Sequence, residues 1–163
     1  MGPRCGTSFV MQQCVKAGLR VNGIAFVNEV LTPKAGNQGG YYEMYGEPKA
    51  DQIQKVWPVQ LKQIDPKNIT ALLVLDRRDK KALFASMQRQ AQRENMNYPV
   101  EQAYEEISKT LRGYLEKTDV NFKLVYTEDL NDRIDEILAY LAPGKVETPS
   151  TPSEAGDNYT HSV

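Results

Sequence analysis

The sequence predicts a three-layer α/β fold with a mainly parallel sheet. Residues 69–75 form an apolar run without alternation, as expected of a strand that helices cover on both faces. A second short strand is predicted over residues 122–126, and stretches with helical spacing separate the two. Because strands that alternate with helices form right-handed parallel crossovers, this order favours a sheet with helices on either side.

Turn residues and apolar spacing place the elements that come before the main strand. An apolar stripe that includes Val10 and Cys14 predicts a first helix, and Gly18 is expected to end it. Residues 23–27 are a candidate short strand. The stretch 32–47 is rich in Gly, Pro, Asn and Tyr, which predicts an irregular loop.

Three further helices are predicted after the main strand. Their apolar residues keep helical spacing over 80–92, over 99–115 and over 134–141. The stretch before the main strand is ambiguous. Trp57-Pro58 is expected to end any helix there, because the residue before a proline disfavours helical geometry.

Composition limits the classes of function that the chain can have. Its 163 residues suit one domain, and 20 basic against 21 acidic side chains give a net charge of -1. This balance disfavours a dedicated nucleic-acid binder, and no apolar run is long enough to span a membrane. Without an export signal, we expect a cytoplasmic protein whose two cysteines form no disulfide framework. Residues 1–144 are predicted to form the domain and residues 145–163 a disordered tail.

Segment 2–8, which reads Gly-Pro-Arg-Cys-Gly-Thr-Ser, is the sharpest chemical feature. Glycine beside a helix start lets backbone N–H groups converge on an anion, and the positive end of the helix adds to the attraction. Arg4 supplies a positive charge. The glycine spacing differs from the ATPase pattern, which also requires a lysine where Thr7 stands. The alternative interpretation is a glycine turn that only caps a helix.

Four motifs, in the same order along the chain, resemble those of the P-loop sulfotransferases, including small bacterial and phage members. The motifs are Pro-Arg-Cys-Gly-Thr-Ser-Phe at 3–9, Asn-Gln-Gly-Gly-Tyr-Tyr-Glu at 37–43, Leu-Val-Leu-Asp-Arg-Arg at 73–78 with Ser86 eight positions later, and Leu-Val-Tyr-Thr-Glu-Asp-Leu at 124–130. The resemblance spans roughly residues 2–141. It implies a three-layer, P-loop NTPase-like fold.

The resemblance also implies a donor substrate and the residues that bind it. The donor is 3′-phosphoadenosine 5′-phosphosulfate, whose sulfuryl group passes to a hydroxyl or amine acceptor, and no metal is required. The backbone N–H groups that would bind the 5′-phosphate are those of Cys5, Gly6, Thr7 and Ser8. Arg4 would stabilise charge on the bridging oxygen as the sulfuryl group leaves. Arg78 and Ser86 would hold the 3′-phosphate.

The catalytic histidine of many sulfotransferases has no counterpart in the corresponding part of this sequence. The single histidine is His161. Some members of the family use a carboxylate instead, so Glu43 and Glu29 are candidate catalytic residues. The sequence does not identify the acceptor, which is a small molecule or a macromolecule.

Two charged segments have simpler structural interpretations. Glu128 and Asp129 are predicted to cap the final helix rather than to act as paired catalytic carboxylates. The charged run 77–81 has a solvated helix start as its alternative.

A buried strand normally precedes a P-loop, whereas this sequence begins with the loop. We therefore expect the gap to be closed by self-association or by residues 23–27, or the protein to be marginally stable. Two other functional classes stay open. One is a P-loop nucleotide or nucleic-acid kinase that uses ATP and Mg²⁺, and the other is a catalytically inactive fold that serves as an interaction module.

Overall fold

The computed structural model describes residues 4–23 and 47–145. These residues form a mixed α/β structure with short parallel sheets, which confirms the α/β part of the predicted fold class. The elements are α1 (Thr7–Lys16), β1 (Val21–Asn22), β2 (Ile53–Gln54), α2 (Pro58–Leu61), β3 (Leu72–Asp76), α3 (Lys80–Arg93), α4 (Val100–Lys117), β4 (Phe122–Tyr126) and α5 (Leu130–Leu141). Short 3₁₀ turns at Pro66–Asn68 and Thr127–Asp129 precede β3 and α5.

Strands β3 and β4 form the larger sheet. They run parallel, with Leu72 opposite Phe122 and Asp76 opposite Tyr126. Helices α3 and α4 make the connection between them, as a parallel pair requires. Strands β1 and β2 also pair in parallel, and among the described residues they form a separate two-stranded sheet.

Successive residues of β3 face two different apolar clusters. Leu73 and Leu75 belong to the cluster that α1, α3 and α5 build on one face. Leu72 and Val74 belong to the cluster on the other face, which is built mainly by α2 and α4. This period of two is that of a strand. It confirms the prediction that helices cover β3 on both faces.

Local sequence signals account for the ends of several helices. Gly18 adopts a φ of 77° and donates its N–H to the Val15 carbonyl, so it ends α1 as predicted. Asp79 caps α3, because its carboxylate accepts the Ala82 N–H at 2.9 Å. Pro99 directly precedes α4, in agreement with the helix predicted over residues 99–115.

One boundary prediction was wrong, and another was shifted. Pro58 begins α2 instead of ending a helix. The physical reason is that a first-turn N–H has no intrahelical acceptor, so a proline there loses nothing. Strand β3 begins at Leu72, three residues after the predicted start. The candidate strand 23–27 lies outside the described residues except for Gly23, as does the loop 32–47 except for Glu47.

Both cysteines are buried thiols, and they form no disulfide within the described residues. Burial raises the pKa of the Cys14 thiol to about 12. This thiol therefore stays protonated at neutral pH and acts as a small apolar core group.

Within residues 4–23 and 47–145, none of the helices combines the length and the apolar character that a membrane span requires.

Candidate anion-binding site

The segment that leads into α1 has the backbone geometry of an anion-binding turn. Arg4 and Gly6 both adopt left-handed backbone conformations, with φ angles of 68° and 93°. Gly6 occupies the N-cap position, where it brings no side-chain hydrogen bond, and the first turn of α1 carries no acidic residue. The positive end of this helix is therefore not neutralised by its own side chains.

A hydrogen bond joins this turn to α3. Arg4 Nε donates to Ser86 Oγ at 2.9 Å, across 82 positions of the sequence. The Ser86 side chain is buried. The structure thus brings together two residues from separate motifs that the sequence assigned to one ligand.

A lysine that the sequence analysis missed also reaches the turn. Lys55 Nζ donates to Ser8 Oγ at 3.3 Å. Lys55 directly follows β2, so a short strand delivers its side chain to the start of α1. The signal in the sequence was weak, because a two-residue strand leaves almost no periodic pattern.

Thr127 ties the turn to the carboxyl end of β3. Its hydroxyl lies 2.9 Å from the Cys5 carbonyl oxygen and 3.0 Å from the Asp76 carbonyl oxygen. The Thr127 side chain is buried, so these contacts are shielded from solvent. The loop, β3 and the residue after β4 are fixed relative to one another at one edge of the sheet.

The carboxylate of Asp76, at the end of β3, is fully engaged. Tyr104 Oη donates to both of its oxygens at 3.0 and 3.1 Å, and Lys80 Nζ donates to Oδ1 at 2.9 Å. The Arg77 N–H donates to the same oxygen at 2.8 Å. Burial raises the pKa of Asp76, but hydrogen bonds that include those from Lys80 and Arg77 more than offset this, so the pKa is lowered.

Arg78 is held by two acidic residues that follow β4. Its guanidinium pairs with Asp129 through two hydrogen bonds of 3.0 and 2.6 Å and lies 4.3 Å from the centre of the Tyr126 ring. Glu128 accepts the backbone N–H groups of Arg78 and Asp79 at 3.1 and 3.2 Å. The guanidinium is about half exposed, at 54% for the side chain.

These contacts correct part of the prediction that Glu128 and Asp129 cap the final helix. Asp129 occupies the N-cap position of α5, but its side chain makes no capping hydrogen bond. Both carboxylates accept hydrogen bonds from residues 78 and 79 instead, because the parallel pairing of β3 and β4 places the two strand ends side by side. The charged run 77–81 is likewise not a purely solvated helix start, since Arg77 is 5% exposed.

The pKa values of the two acids follow from these partners. Hydrogen bonding from Arg78 lowers the pKa of Asp129. Burial raises the pKa of Glu128, but the hydrogen bonds from backbone N–H groups, among them those of Arg78 and Asp79, outweigh it and lower the pKa. Both groups are carboxylates at neutral pH.

The structure brings some of the candidate residues together and leaves others apart. The turn, Arg4 and Ser86 lie in one constellation, whereas Arg78 is paired with Asp129. The two candidate catalytic carboxylates, Glu43 and Glu29, lie outside the described residues.

Comparisons with protein-family models, curated proteins and solved structures found no match for this chain.

Proposed function

We propose that this chain is a P-loop protein similar to sulfotransferases, which transfers the sulfuryl group of 3′-phosphoadenosine 5′-phosphosulfate to a hydroxyl or amine. The observation that carries the proposal is the Arg4–Ser86 hydrogen bond. It links the loop that resembles a phosphosulfate-binding loop with the helix that resembles the 3′-phosphate-binding segment. A turn that merely caps α1 has no need of this link.

The turn supplies the chemistry expected at the phosphosulfate end of the donor. Backbone N–H groups of residues 5–8 bind the 5′-phosphate at the positive end of α1. As the bond between sulfur and the bridging oxygen breaks, negative charge grows on that oxygen, and Arg4 stabilises it. Lys55 lies on the same side, next to Ser8, and adds a second cation. The acceptor oxygen or nitrogen forms the new bond to sulfur and gives its proton to a base, for which Glu43 stays the candidate.

Arg78 binds the 3′-phosphate end of the donor. Its planar guanidinium already makes a two-pronged contact with the Asp129 carboxylate, and a phosphate presents a similar pair of oxygens. Binding therefore exchanges one oxyanion partner for another. The half-exposed position of Arg78 leaves it accessible for this exchange.

The contacts of Asp76 disfavour the kinase alternative. Asp76 ends β3 at the place where a magnesium-binding carboxylate follows the strand in P-loop kinases. Its oxygens accept hydrogen bonds from Tyr104 and from the cationic Lys80. A carboxylate that already has a cationic partner serves to fix the end of β3, and a metal ion would have to displace Lys80.

Calorimetry with adenosine 3′,5′-bisphosphate and with ATP tests the proposal. The wild-type protein should prefer the bisphosphate. Since a charge-assisted phosphate contact contributes roughly 1.5–3 kcal/mol, Arg78→Ala should weaken bisphosphate binding about ten- to a hundredfold and leave ATP binding nearly unchanged. Arg4→Ala should weaken the binding of both ligands.

Arg93→Ala is the control for Arg78→Ala. Arg93 lies in the last turn of α3, at the opposite end of the helix that begins beside Arg78, and it makes no ion pair with another described residue. Its loss should leave bisphosphate affinity unchanged. Equal wild-type affinity for ATP and the bisphosphate would favour the kinase, and binding of neither ligand would favour the interaction module.

A further inference from the structure

A second region of the molecule, formed by α2 and the C-terminal half of α4, contains an open cleft of about 720 Å³. Small-molecule sites typically occupy roughly 300–1,000 Å³, so the cleft has the size of such a site. Its lining comes from Lys62, at the end of α2, and from residues 109–117 of α4. None of these residues takes part in the constellation around Arg4.

The charge of the cleft is strongly positive. Four of its lining residues are cationic, namely Lys62, Lys109, Arg112 and Lys117, and the single acidic one is Glu116. The cleft thus has a net charge of +3 in a chain whose overall net charge is -1. This contrast means that the clustering is local and does not reflect a generally basic surface.

The cations have few partners of their own. Lys62, Lys109 and Lys117 make no ion pair with any residue in the described ranges. Arg112 approaches Glu105 at 3.9 Å, and both side chains are more than half exposed, so this pair contributes little. Lys117 stabilises the last turn of α4 by its position, but Lys62 and Lys109 gain nothing comparable.

A glycine lies in the middle of the basic surface. Gly113 is inside the 18-residue helix α4, where glycine is less favourable than alanine. A Cβ built at this position meets no atom within 4 Å, so packing within the described structure does not require glycine. Its effect is to leave the wall of the cleft free of a side chain.

Tyr114 also contributes to the lining of the cleft. The residue is 8% exposed and its hydroxyl oxygen is buried, so the hydroxyl is not open to a ligand in the cleft. The positive charge of the cleft therefore comes from side chains around an apolar ring edge and a bare stretch of helix.

We propose that the cleft between α2 and α4 is a second ligand site, which binds a small multivalent oxyanion carrying two or more phosphate or sulfate groups. The four cations provide the attraction, and Gly113 leaves room for the ligand against the helix. This site goes beyond the proposed transferase function and does not depend on it.

The test measures the binding of inorganic tripolyphosphate by calorimetry at low ionic strength, in an Arg4→Ala background that weakens the loop site. Gly113→Glu places a carboxylate in the cleft and should weaken binding at least tenfold. Gly113→Ala adds only a methyl group and should bind as tightly as the parent. Both substitutions replace glycine by a better helix former, so both variants should fold.

A second pair of variants removes charge without touching the helix backbone at Gly113. Lys109→Gln/Lys117→Gln should weaken binding severalfold, whereas the control Lys16→Gln/Lys67→Gln, at two exposed lysines elsewhere, should not. A sulfated tetrasaccharide run in parallel distinguishes sulfate from phosphate as the preferred source of charge, and tighter binding of either probe supports the site.

Three outcomes would overturn the proposal. The first is equal affinity of Gly113→Glu and Gly113→Ala for tripolyphosphate. The second is an equal loss of tripolyphosphate affinity in the two double-lysine variants. The third is much tighter binding of a single-stranded oligonucleotide than of either small probe. Adenosine 3′,5′-bisphosphate also carries two phosphate groups, so failure of the transferase function is read separately from its binding to the Gly113→Glu variant, in which the cleft carries a carboxylate.

Discussion

Two regions of this protein concentrate positive charge, and they are built in opposite ways. Around Arg4, buried hydroxyl groups hold the parts together, since Ser86 bonds to the guanidinium and Thr127 to two backbone carbonyls. In the cleft between α2 and α4, exposed cations are grouped without ion pairs to fix most of them. In the first region, the binding groups are held in fixed positions before a ligand binds. In the second region, the charged side chains are close together but are not held in fixed positions. We therefore expect selective binding at the loop and salt-sensitive binding in the cleft.

Removing one hydroxyl in each region should reveal the largest difference. Thr127→Val leaves the buried carbonyls of Cys5 and Asp76 without this partner, and we expect a loss of about 1–3 kcal/mol in the free energy of unfolding. Affinity of the loop for anions should fall as well. Denaturant melts and calorimetry measure the two effects.

Thr110→Val is the matched change in the cleft. The Thr110 hydroxyl donates to the Glu106 carbonyl within α4, near solvent, so its loss should cost less than about 0.5 kcal/mol. Similar losses in the two variants would show that the loop is no more tightly fixed than the cleft.

Replacing glycine by alanine should have opposite effects in the two regions. Gly6 has a φ of 93°, and a Cβ in the left-handed region costs roughly 1–2 kcal/mol, so Gly6→Ala should destabilise the protein. Gly113 is helical and its surroundings are open, so Gly113→Ala should stabilise it by roughly 0.5–1 kcal/mol. Thermal melts of both variants give the sign of each change in stability. Two changes of the same sign would contradict the difference between the loop and the cleft.

The smallest expected effect is a change in how the stability of the protein depends on pH. The pKa of Glu128 is lowered from its ordinary 4.5, so its charge stabilises the native state above that value. This contribution is lost as the pH falls through the lower pKa of the folded state. Glu128→Gln should therefore be less stable at pH 7 and lose less stability between pH 5 and 3. Urea midpoints at several pH values measure the slope.

Glu116→Gln, in the cleft, is the control for the loss of stability at pH 7. Glu116 is exposed and accepts no hydrogen bond from another described residue. Its urea midpoint at pH 7 should match that of the wild-type protein, and a loss as large as that of Glu128→Gln would remove the distinction between the two regions.

The same contrast explains which parts of the structure the sequence could predict. The strand over residues 122–126 and the helices over 80–92 and 99–115 were predicted because the spacing of apolar residues is a local signal. That Arg4 and Ser86 belong to one site was predicted only from the resemblance of their motifs to those of the P-loop sulfotransferases. No local signal could have supplied it, since the contact spans 82 positions.

What the sequence could not predict depends on long-range pairing. Glu128 and Asp129 have the composition of a helix cap, and only the parallel alignment of β3 and β4 shows that Arg78 and Asp79 are closer partners. Lys55 was missed because β2 has two residues. The cleft was not predicted because Lys62 lies close to residues 109–117 only when α2 packs against α4.

The left-handed backbone of Arg4 has an evolutionary consequence. A non-glycine residue with a φ of 68° gives up stability that glycine at the same position would recover. Selection can retain arginine there only while its guanidinium has a use. Glycine at position 4 would relieve this strain but would also remove the hydrogen bond to the buried Ser86 hydroxyl. Among descendants of this chain, a lineage that acquires glycine at position 4 should therefore also replace Ser86 by an apolar residue. The pair of residues at these two positions would record, across a set of relatives, which of them keep the loop joined to α3.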